Sequence, residues 1–208
     1  MEILHLNKDF AVCIKPVGVD SQQGMCALLK EELGGEFYPL HRLDLNVGGV
    51  MIYARNQKAA ADLSGIIARQ EMVKEYVARV WGTPPQSATW EDLLFKDSQK
   101  NKVFVVKKPR KGVKAAKLSF SLLEEGEQSL VQVRLYTGRS HQIRVQFASR
   151  GFPLLGDGKY GAKDTYKAPM LFCARLTFSY KGEKMQFCAL PTWADGHTLE
   201  DLYEESNS

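Results

Sequence analysis

Short apolar segments with the two-residue alternation of β-strands run through most of the chain, and only a few stretches between them have helical periodicity. Strands are predicted near Ile3 and at residues 10–14, 48–54, 73–81, 118–125, 129–136, 171–180 and 183–191. Helices are predicted at residues 24–33, 57–70 and 139–150 and at the acidic C-terminal end. Short turns at Gly126 and at Lys181–Gly182 join neighbouring strands as hairpins. This pattern predicts an α+β fold whose mixed, largely antiparallel β-sheet is flanked by helices.

The length favours one shared core over two independent domains. The chain has 208 residues, of which 44% are hydrophobic and 25% charged, a composition typical of globular proteins. A compact fold of this size removes roughly 70% of the surface that the unfolded chain exposes, so its stability requires no metal or crosslink. We therefore expect residues 1–208 to form a single domain, and we expect a monomer.

Charge is distributed unevenly along the chain. The net charge is only +4, but residues 195–208 contain no Lys or Arg, and residues 96–117 contain Asp97 as their one acid. The basic residues of that second segment are Lys96, Lys100, Lys102, Lys107, Lys108, Arg110, Lys111, Lys114 and Lys117. A concentrated cationic stretch of this kind favours a polyphosphate partner through counterion release, and a solvated loop is the alternative interpretation.

Cysteine spacing and hydropathy exclude several classes of protein. Cys13, Cys26, Cys173 and Cys188 form no CxxC pair and no Cys/His cluster, so we expect neither a zinc site nor disulfides. The N-terminal segment lacks the basic-then-apolar order of a signal peptide, and no apolar run approaches the ~20 residues that span a bilayer. We therefore expect a cytoplasmic protein with no metal and no membrane partner.

Three polar clusters interrupt the apolar pattern. His41, Arg42 and Asp44 precede the apolar strand at 48–54, where a simple turn would also explain the aspartate. Strand alternation places Tyr76 on the same face as Ala78, which by itself favours a core tyrosine.

The third cluster lies at the predicted helix 139–150, whose first turns contain Arg139, His141 and Arg144. Cations oppose the helix dipole there, so an anion should compensate them. A bound phosphate and a carboxylate paired with Arg144 are the two candidates. Together with the basic segment, these clusters indicate nucleic-acid chemistry.

The strings that contain these clusters resemble the motifs of RluA-type pseudouridine synthases. HRLDLNVGG (41–49) resembles the family's HRLD-x-x-x-G motif, and KEYVARVWG (74–82) its K-x-Y-x-A-x-V-x-G strand. The segment TGRSHQIRVQFASRGFPLLGDGKYG (137–161) resembles the third motif, and KPVG (15–18) and FCALP (187–191) also match. The resemblance implies a pseudouridine synthase-like fold with a central cleft, which acts on uridine in ribosomal or transfer RNA without a cofactor.

The resemblance also implies roles for individual residues. Asp44 matches the catalytic aspartate that attacks a flipped-out uridine, Tyr76 the tyrosine that stacks on the base, and Arg144 the arginine paired with the aspartate. Arg42 matches the residue that fills the gap left by the extruded base. The implied substrate-binding residues are His41, Arg42, Leu43, Arg139, His141 and Ile143.

The sequence departs from the family pattern directly after the aspartate. The residues Leu45 to Gly49 replace the usual basic, acidic and hydroxyl side chains. Gln146 and Phe172 stand where histidines are common, and the chain has no room for an S4-type RNA-binding domain. A catalytically inactive RNA-binding relative is therefore the alternative to an RNA-modifying isomerase.

Overall fold

The computed structural model describes residues 1–194, 196 and 197. The strands are β1 Glu2–Leu6, β2 Phe10–Lys15, β3 Tyr38–Pro39, β4 Gly48–Ala54, β5 Val73–Trp81, β6 Ser87–Asp97, β7 Lys102–Val106, β8 Val113–Glu124, β9 Gln128–Leu135, β10 Leu171–Tyr180 and β11 Glu183–Cys188. The helices are α1 Gln23–Leu33, α2 Gln57–Ala68, α3 Gln142–Ala148 and a 3-10 turn at Gly158–Tyr160. The chain forms two compact units, one of residues 1–74 together with those from 172 onwards, and one of residues 75–171.

The first unit is a sheet in the order β1-β2-β4-β10-β11, with β3 alongside β4. Strand β4 is buried along its whole length, which explains its continuous apolar sequence. Helix α2 packs on β4 through an apolar face, and the Asn56 side chain caps its N-terminus by accepting from the Ala59 N–H at 2.8 Å. Cys13 and Cys173 are buried free thiols in this sheet.

A close backbone contact joins β4 and β10, the parallel pair of the first unit. Gly48 pairs with Phe172 and Gly49 with Cys173. Gly49 has a φ of 134°, and a Cβ atom there would lie 2.4 Å from the Cys173 nitrogen and 2.6 Å from its carbonyl oxygen. Only glycine fits this position, so the second of the two glycines after the Asp44 loop is required by packing.

The second unit is a sheet in the order β5-β9-β8-β6-β7. The pairs β8–β9, β6–β8 and β6–β7 are antiparallel. Helix α3 packs on one face of this sheet, where Trp90, Phe120 and Phe147 form a cluster with ring centroids 4.5–5.1 Å apart. Leu94 and Ala116 contact Val145 of the helix on the same face.

Most predicted elements are confirmed, including the α+β class, the strands at 48–54 and 73–81, and both hairpins. The helix predicted at 139–150 is shorter in the structure, where α3 begins at Gln142 and ends at Ala148. His141 has a left-handed φ of 52°, so Arg139 and His141 precede the helix. The lysine-rich segment includes β7 and the first part of β8, and neither β6 nor β7 was predicted. The predicted acidic C-terminal helix lies outside the described residues. No helix in the described part of the chain is long and apolar enough to cross a membrane.

We predict that Gly49→Ala lowers the free energy of unfolding by about 2–4 kcal/mol, because the added methyl group overlaps the Cys173 backbone and a positive φ is unfavourable for alanine. Urea denaturation measures the change. Gly126→Ala is the control, because Gly126 has no positive φ and the added carbon would lie 3.9 Å from the Gln128 nitrogen, an ordinary van der Waals contact. Equal stability of the two variants would contradict the packing requirement.

Candidate active site

The predicted site residues come from both units. The first unit contains His41, Arg42, Leu43 and Asp44 in the loop between β3 and β4. The second unit contains Tyr76 on β5, Arg139 and His141 in the turn before α3, and Ile143 and Arg144 on α3.

The peptide groups of Leu43, directly before Asp44, are fixed by a buried serine. The Leu43 N–H donates to Ser21 Oγ at 3.0 Å, and Ser21 Oγ donates to the Leu43 carbonyl at 2.5 Å. Ser21 is itself held by the Tyr53 hydroxyl, which donates to the Ser21 carbonyl at 2.8 Å. The Leu43 side chain is 4% exposed, so it anchors the loop in the core of the unit.

A buried lysine fixes the loop directly after Asp44. Lys15 is fully buried, and its Nζ donates to the carbonyls of Pro16, Val19 and Leu45 at 2.9, 2.8 and 3.1 Å. The Leu45 carbonyl also accepts from the Gly18 N–H at 2.9 Å. Burial lowers the pKa of Lys15 to about 8, against the opposing effect of the nearby carboxylates of Asp20 and Asp44. Lys15 is therefore mostly charged at neutral pH, and its three donors match three acceptors.

His41 is a neutral part of the loop. Its Nε2 accepts a hydrogen bond from the Ile52 N–H at 3.4 Å, so its proton resides on Nδ1. Burial, together with the charge of Lys74, lowers the pKa of His41 to about 3. Arg42 is exposed, and Asp44 is half-buried between Leu43 and Leu45. The exposed guanidinium and the half-buried carboxylate are the groups of this loop that can meet a ligand.

The residues that depart from the family pattern after Asp44 have packing roles. Val47 is 2% exposed, and its N–H donates to the Asp44 carbonyl at 3.0 Å, which closes the turn. The ring of Phe172 lies 3.4 Å from the point where a Cβ on Gly48 would stand. Apolar and small residues at these positions therefore suit the start of the buried strand β4.

In the second unit, Arg144 is held by a buried carboxylate. Its Nε donates to Asp157 Oδ2 at 2.7 Å and its Nη2 to Oδ1 at 2.8 Å, a bidentate pair in which Asp157 is 1% exposed. This pair confirms that a carboxylate compensates the cation at the start of α3.

The turn before α3 is ordered by one buried amide. The Gln142 Oε1 accepts from the Thr137 hydroxyl at 2.8 Å and from the Arg139 N–H at 3.0 Å, and its Nε2 donates to the Lys117 carbonyl at 3.1 Å. Arg139 is exposed, and its Nε donates to the Ala115 carbonyl at 2.9 Å. The turn therefore presents the rest of the Arg139 guanidinium at the surface.

One aromatic residue, Tyr160, lies beside the functional groups of this unit. The Tyr160 hydroxyl lies 2.8 Å from His141 Nδ1, and its ring centroid lies 5.1 Å from the Arg144 guanidinium carbon. Tyr76 is 6% exposed, as the alternation of β5 predicts, and Ile143 is 3% exposed. Ile143 thus packs in the core of the unit, whereas His141 and Arg144 have polar partners.

Sequence reasoning missed Asp157, Ser21 and Lys15 as supporting residues. Asp157 and Lys15 lie within matched strings, the GDGKYG part of 137–161 and KPVG, which was the available signal for them. Ser21 had no signal, because its role depends on a hydrogen bond across 22 positions of sequence. Among the described residues, no group of three or more His, Cys, Asp or Glu side chains could hold a metal.

Among the predicted site residues, the first unit contains a carboxylate, and the second unit contains a fixed guanidinium and a tyrosine. A carboxylate can act as nucleophile or general base, an arginine can keep it ionised, and an aromatic ring can stack on a flat ligand.

Comparisons with known proteins identify relatives along most of the chain. Residues 9–149 match the family model described as RNA pseudouridylate synthase. An uncharacterized RNA pseudouridine synthase of Chloroflexus aurantiacus is 35% identical over 138 residues, which are 64% of this chain and 42% of that protein. The dual-specificity RNA pseudouridine synthase RluA of Salmonella typhi is 31% identical over 184 residues, 81% of each chain. The chain thus spans less than half the length of the Chloroflexus protein.

A solved structure has the same fold. Human RNA pseudouridylate synthase domain containing 1 superposes with a TM-score of 0.81 at 23% identity, covering 91% of this chain and 83% of the human chain.

We predict that Asp157→Asn lowers the free energy of unfolding by roughly 3–5 kcal/mol, because it leaves the buried Arg144 charge without a counterion. Urea denaturation tests this. The matched control is Asp62→Asn, which removes the exposed ion pair with Lys58 and should cost less than about 1 kcal/mol. Similar losses in the two variants would show that the Arg144 pair contributes no special stability.

We also predict that the ring signals of His41 in NMR spectra do not shift between about pH 8 and pH 5, because a ring whose pKa is lowered to about 3 stays neutral in that range. The pKa in the folded state lies below the ordinary value of 6.5, so the neutral ring contributes to the stability of the folded state above pH 6.5, and this contribution is lost as the pH falls towards about 3. The His41→Asn variant, which lacks these signals, serves to assign them. A titration of the signals near pH 6.5 would contradict the neutral ring.

Proposed function

The chain belongs to the RNA pseudouridylate synthase family, and from this premise we propose that it isomerises uridine to pseudouridine in structured ribosomal or transfer RNA. We assign Asp44 as the nucleophile and Tyr76 and Arg144 as further catalytic residues that act on a flipped-out uridine. The observation that carries the proposal is that Asp44 stands in a loop whose two neighbouring peptide groups are fixed by the buried Ser21 and Lys15.

The reaction exchanges one bond of the uridine for another. The Asp44 carboxylate attacks the sugar or the ring of the extruded nucleotide, and the bond between nitrogen 1 and the sugar breaks. The detached base turns and rejoins the sugar through carbon 5, and the bond to Asp44 breaks so that the carboxylate leaves unchanged. Carbon 5 loses its proton while nitrogen 1 gains one. Atoms and charge balance without a cofactor or a metal.

Rigid support of Asp44 serves this chemistry because an attacking oxygen must meet the reacting carbon along a narrow range of directions. The carbonyl of Leu45 accepts from both Lys15 and Gly18, and Leu43 makes two bonds to Ser21. These contacts limit rotation of the peptide groups on both sides of the carboxylate. The departures after Asp44 leave the support intact, which favours an active enzyme over an inactive RNA-binding relative.

Arg144 keeps Asp44 ionised in this proposal. Removing water from a carboxylate in a closed pocket disfavours its charged form, and a guanidinium within hydrogen-bond reach compensates that cost. Asp157 holds the guanidinium through Nε and Nη2 and so fixes its orientation. Asp157 is thus the residue that positions Arg144 for its proposed role.

RNA binding follows the distribution of charge and aromatic rings. Flipping a base costs a few kcal/mol, and stacking on a ring such as that of Tyr76 returns about 1–3 kcal/mol. The exposed Arg42 would fill the gap in the RNA, Arg139 and His141 would contact its backbone beside the target nucleotide, and Leu43 and Ile143 would support them from the core. We expect the protein to act in the cytoplasm as a monomeric single domain.

The test is release of tritium from ribosomal and transfer RNA labelled at carbon 5 of uridine. We predict release by the wild-type protein and a loss of at least about 1000-fold in Asp44→Asn, because the amide cannot attack. Asp62→Asn, the same change on the exposed face of α2, should retain wild-type release. Equal background from the wild type and Asp44→Asn would instead identify an RNA-binding protein without catalysis.

A further inference from the structure

The sheet of the second unit is covered by helix on one face only. Trp90, Leu94, Ala116 and Phe120, at even-numbered positions of β6 and β8, contact α3. Because side chains alternate along a strand, the odd-numbered positions of these strands point to the opposite face. Helix α3 is the one α-helix within residues 75–171, all of which the structure describes, and it lies on the even-numbered face. We call this opposite face the outer face. It consists of the odd-numbered residues of β6 and β8 and of the residues on β7 and β9 that pair with them.

One end of the outer face presents a tyrosine between two cations. Tyr136 follows β9 and is 38% exposed, and its N–H donates to the Lys117 carbonyl of the neighbouring strand. Lys117 Nζ and the Arg134 guanidinium carbon lie 5.6 and 5.4 Å from the centroid of the Tyr136 ring. Ser119, which pairs with Arg134, lies with its Oγ 3.3 Å from the tyrosine hydroxyl.

The other end of the outer face repeats this combination of rings and cations. Phe95 of β6 pairs directly with Phe104 of β7, whose side chain is 37% exposed. The Arg110 guanidinium carbon lies 4.4 Å from the Phe95 centroid, and Lys102 Nζ lies 5.9 Å from the Phe104 centroid. The two ends therefore present exposed rings, each with a cation nearby.

The electrostatic balance of the outer face favours an anionic partner. The cations beside the rings are Lys102, Arg110, Lys117 and Arg134. The acids of the outer face are Glu91, which forms an ion pair with Lys117 at 2.8 Å, Asp97, which pairs with Lys102 across the strands, and the buried Glu75. The four cations therefore exceed the acids by one. Aromatic rings and guanidinium planes stack on unpaired bases, while lysine and arginine neutralise phosphates, so the set suits single-stranded nucleic acid. A protein partner would be favoured by a wider apolar surface without interspersed charges.

The outer face lies on the side of the sheet opposite to Tyr76 and Arg144. Gln132 pairs with Ser121, an odd-numbered residue of β8, and its amide lies 3.4 Å from the Glu75 carboxylate, so Glu75 is on the outer face. Its neighbour Tyr76 points to the other side, where α3 carries Arg144. RNA on the outer face is therefore a different segment from the one that contains the target uridine.

We propose that the outer face is a second RNA-binding surface, which stacks an unpaired segment of the substrate on Tyr136 and Phe104 while Lys102, Lys117 and Arg134 hold its phosphates. The proposal rests on the proposed function, since the bound segment belongs to the same RNA. It assigns to the basic strands β7 and β8 a role in holding the RNA outside the catalytic cleft.

Binding of a fluorescent oligouridylate RNA to the full chain tests the surface directly. The double variant Tyr136→Ala with Phe104→Ala should bind roughly tenfold more weakly, because each base that loses its stacking partner loses affinity. Tyr136→Phe should keep wild-type affinity, since the ring is retained. Tyr166→Ala, which removes an exposed tyrosine elsewhere in the same unit, is the matched control and should also bind normally.

Two further readouts separate this surface from the catalytic site. Arg134→Ala should reduce the slope of log affinity against log salt concentration by roughly one, as the loss of one phosphate contact requires. In the tritium assay, the double variant should raise KM for whole ribosomal or transfer RNA and leave kcat unchanged. A general loss of structure would instead lower kcat as well.

Unchanged oligouridylate affinity in the double variant would overturn the proposal, and so would an equal loss in Tyr166→Ala. A wild-type protein that releases no tritium but loses RNA affinity in the double variant would refute the proposed catalysis and support the second surface. Tritium release with RNA affinity and KM unaffected by the double variant would refute the second surface alone.

Discussion

The buried ion pair between Arg144 and Asp157 is the interaction on which the second unit's part of the candidate site depends. A cation in the first turn of α3 opposes the helix dipole, and burial removes most of its hydration. The bidentate carboxylate supplies the compensating charge and two hydrogen bonds, so the guanidinium can occupy a position that helix electrostatics disfavours. It also sets the orientation of the guanidinium plane, which an exposed arginine would not hold. The GD-x-x-Y segment after α3 is therefore part of the candidate site, through the Asp157 carboxylate.

The first unit uses a buried cation in a different way. Lys15 makes no bidentate pair with a carboxylate; its ammonium group instead gathers three carbonyls, one of them from Leu45 directly after Asp44. With Ser21 on the other side, the loop is held through its backbone, and its side chains are left to function or to pack. This explains how the residues after Asp44 can differ from the family pattern. Val47, Gly48 and Gly49 meet the packing needs of β4, while hydrogen bonds to the backbone hold the aspartate.

The two faces of the second unit's sheet separate two tasks in the proposed enzyme. On one face, the core packs against α3, which carries Arg144. The outer face carries exposed rings beside lysines and arginines. The lysine-rich segment can therefore position a ligand, because strand alternation directs its side chains to defined faces of the sheet. A solvated loop with the same charges would attract RNA without positioning it.

Strand and helix periodicity was sufficient to predict the α+β class, the buried strand β4 and the hairpins β8–β9 and β10–β11, because hydrophobic alternation and turn residues act over short distances. The motif strings indicated the family and Asp44, Tyr76 and Arg144 as the residues to examine. Tertiary structure alone decided that Asp157 is a partner of Arg144, that Ser21 holds Leu43, and that Gly49 must lack a side chain beside Cys173. Those facts depend on atoms brought together from distant parts of the chain, and a linear pattern of residue types carries no information about which distant atoms meet.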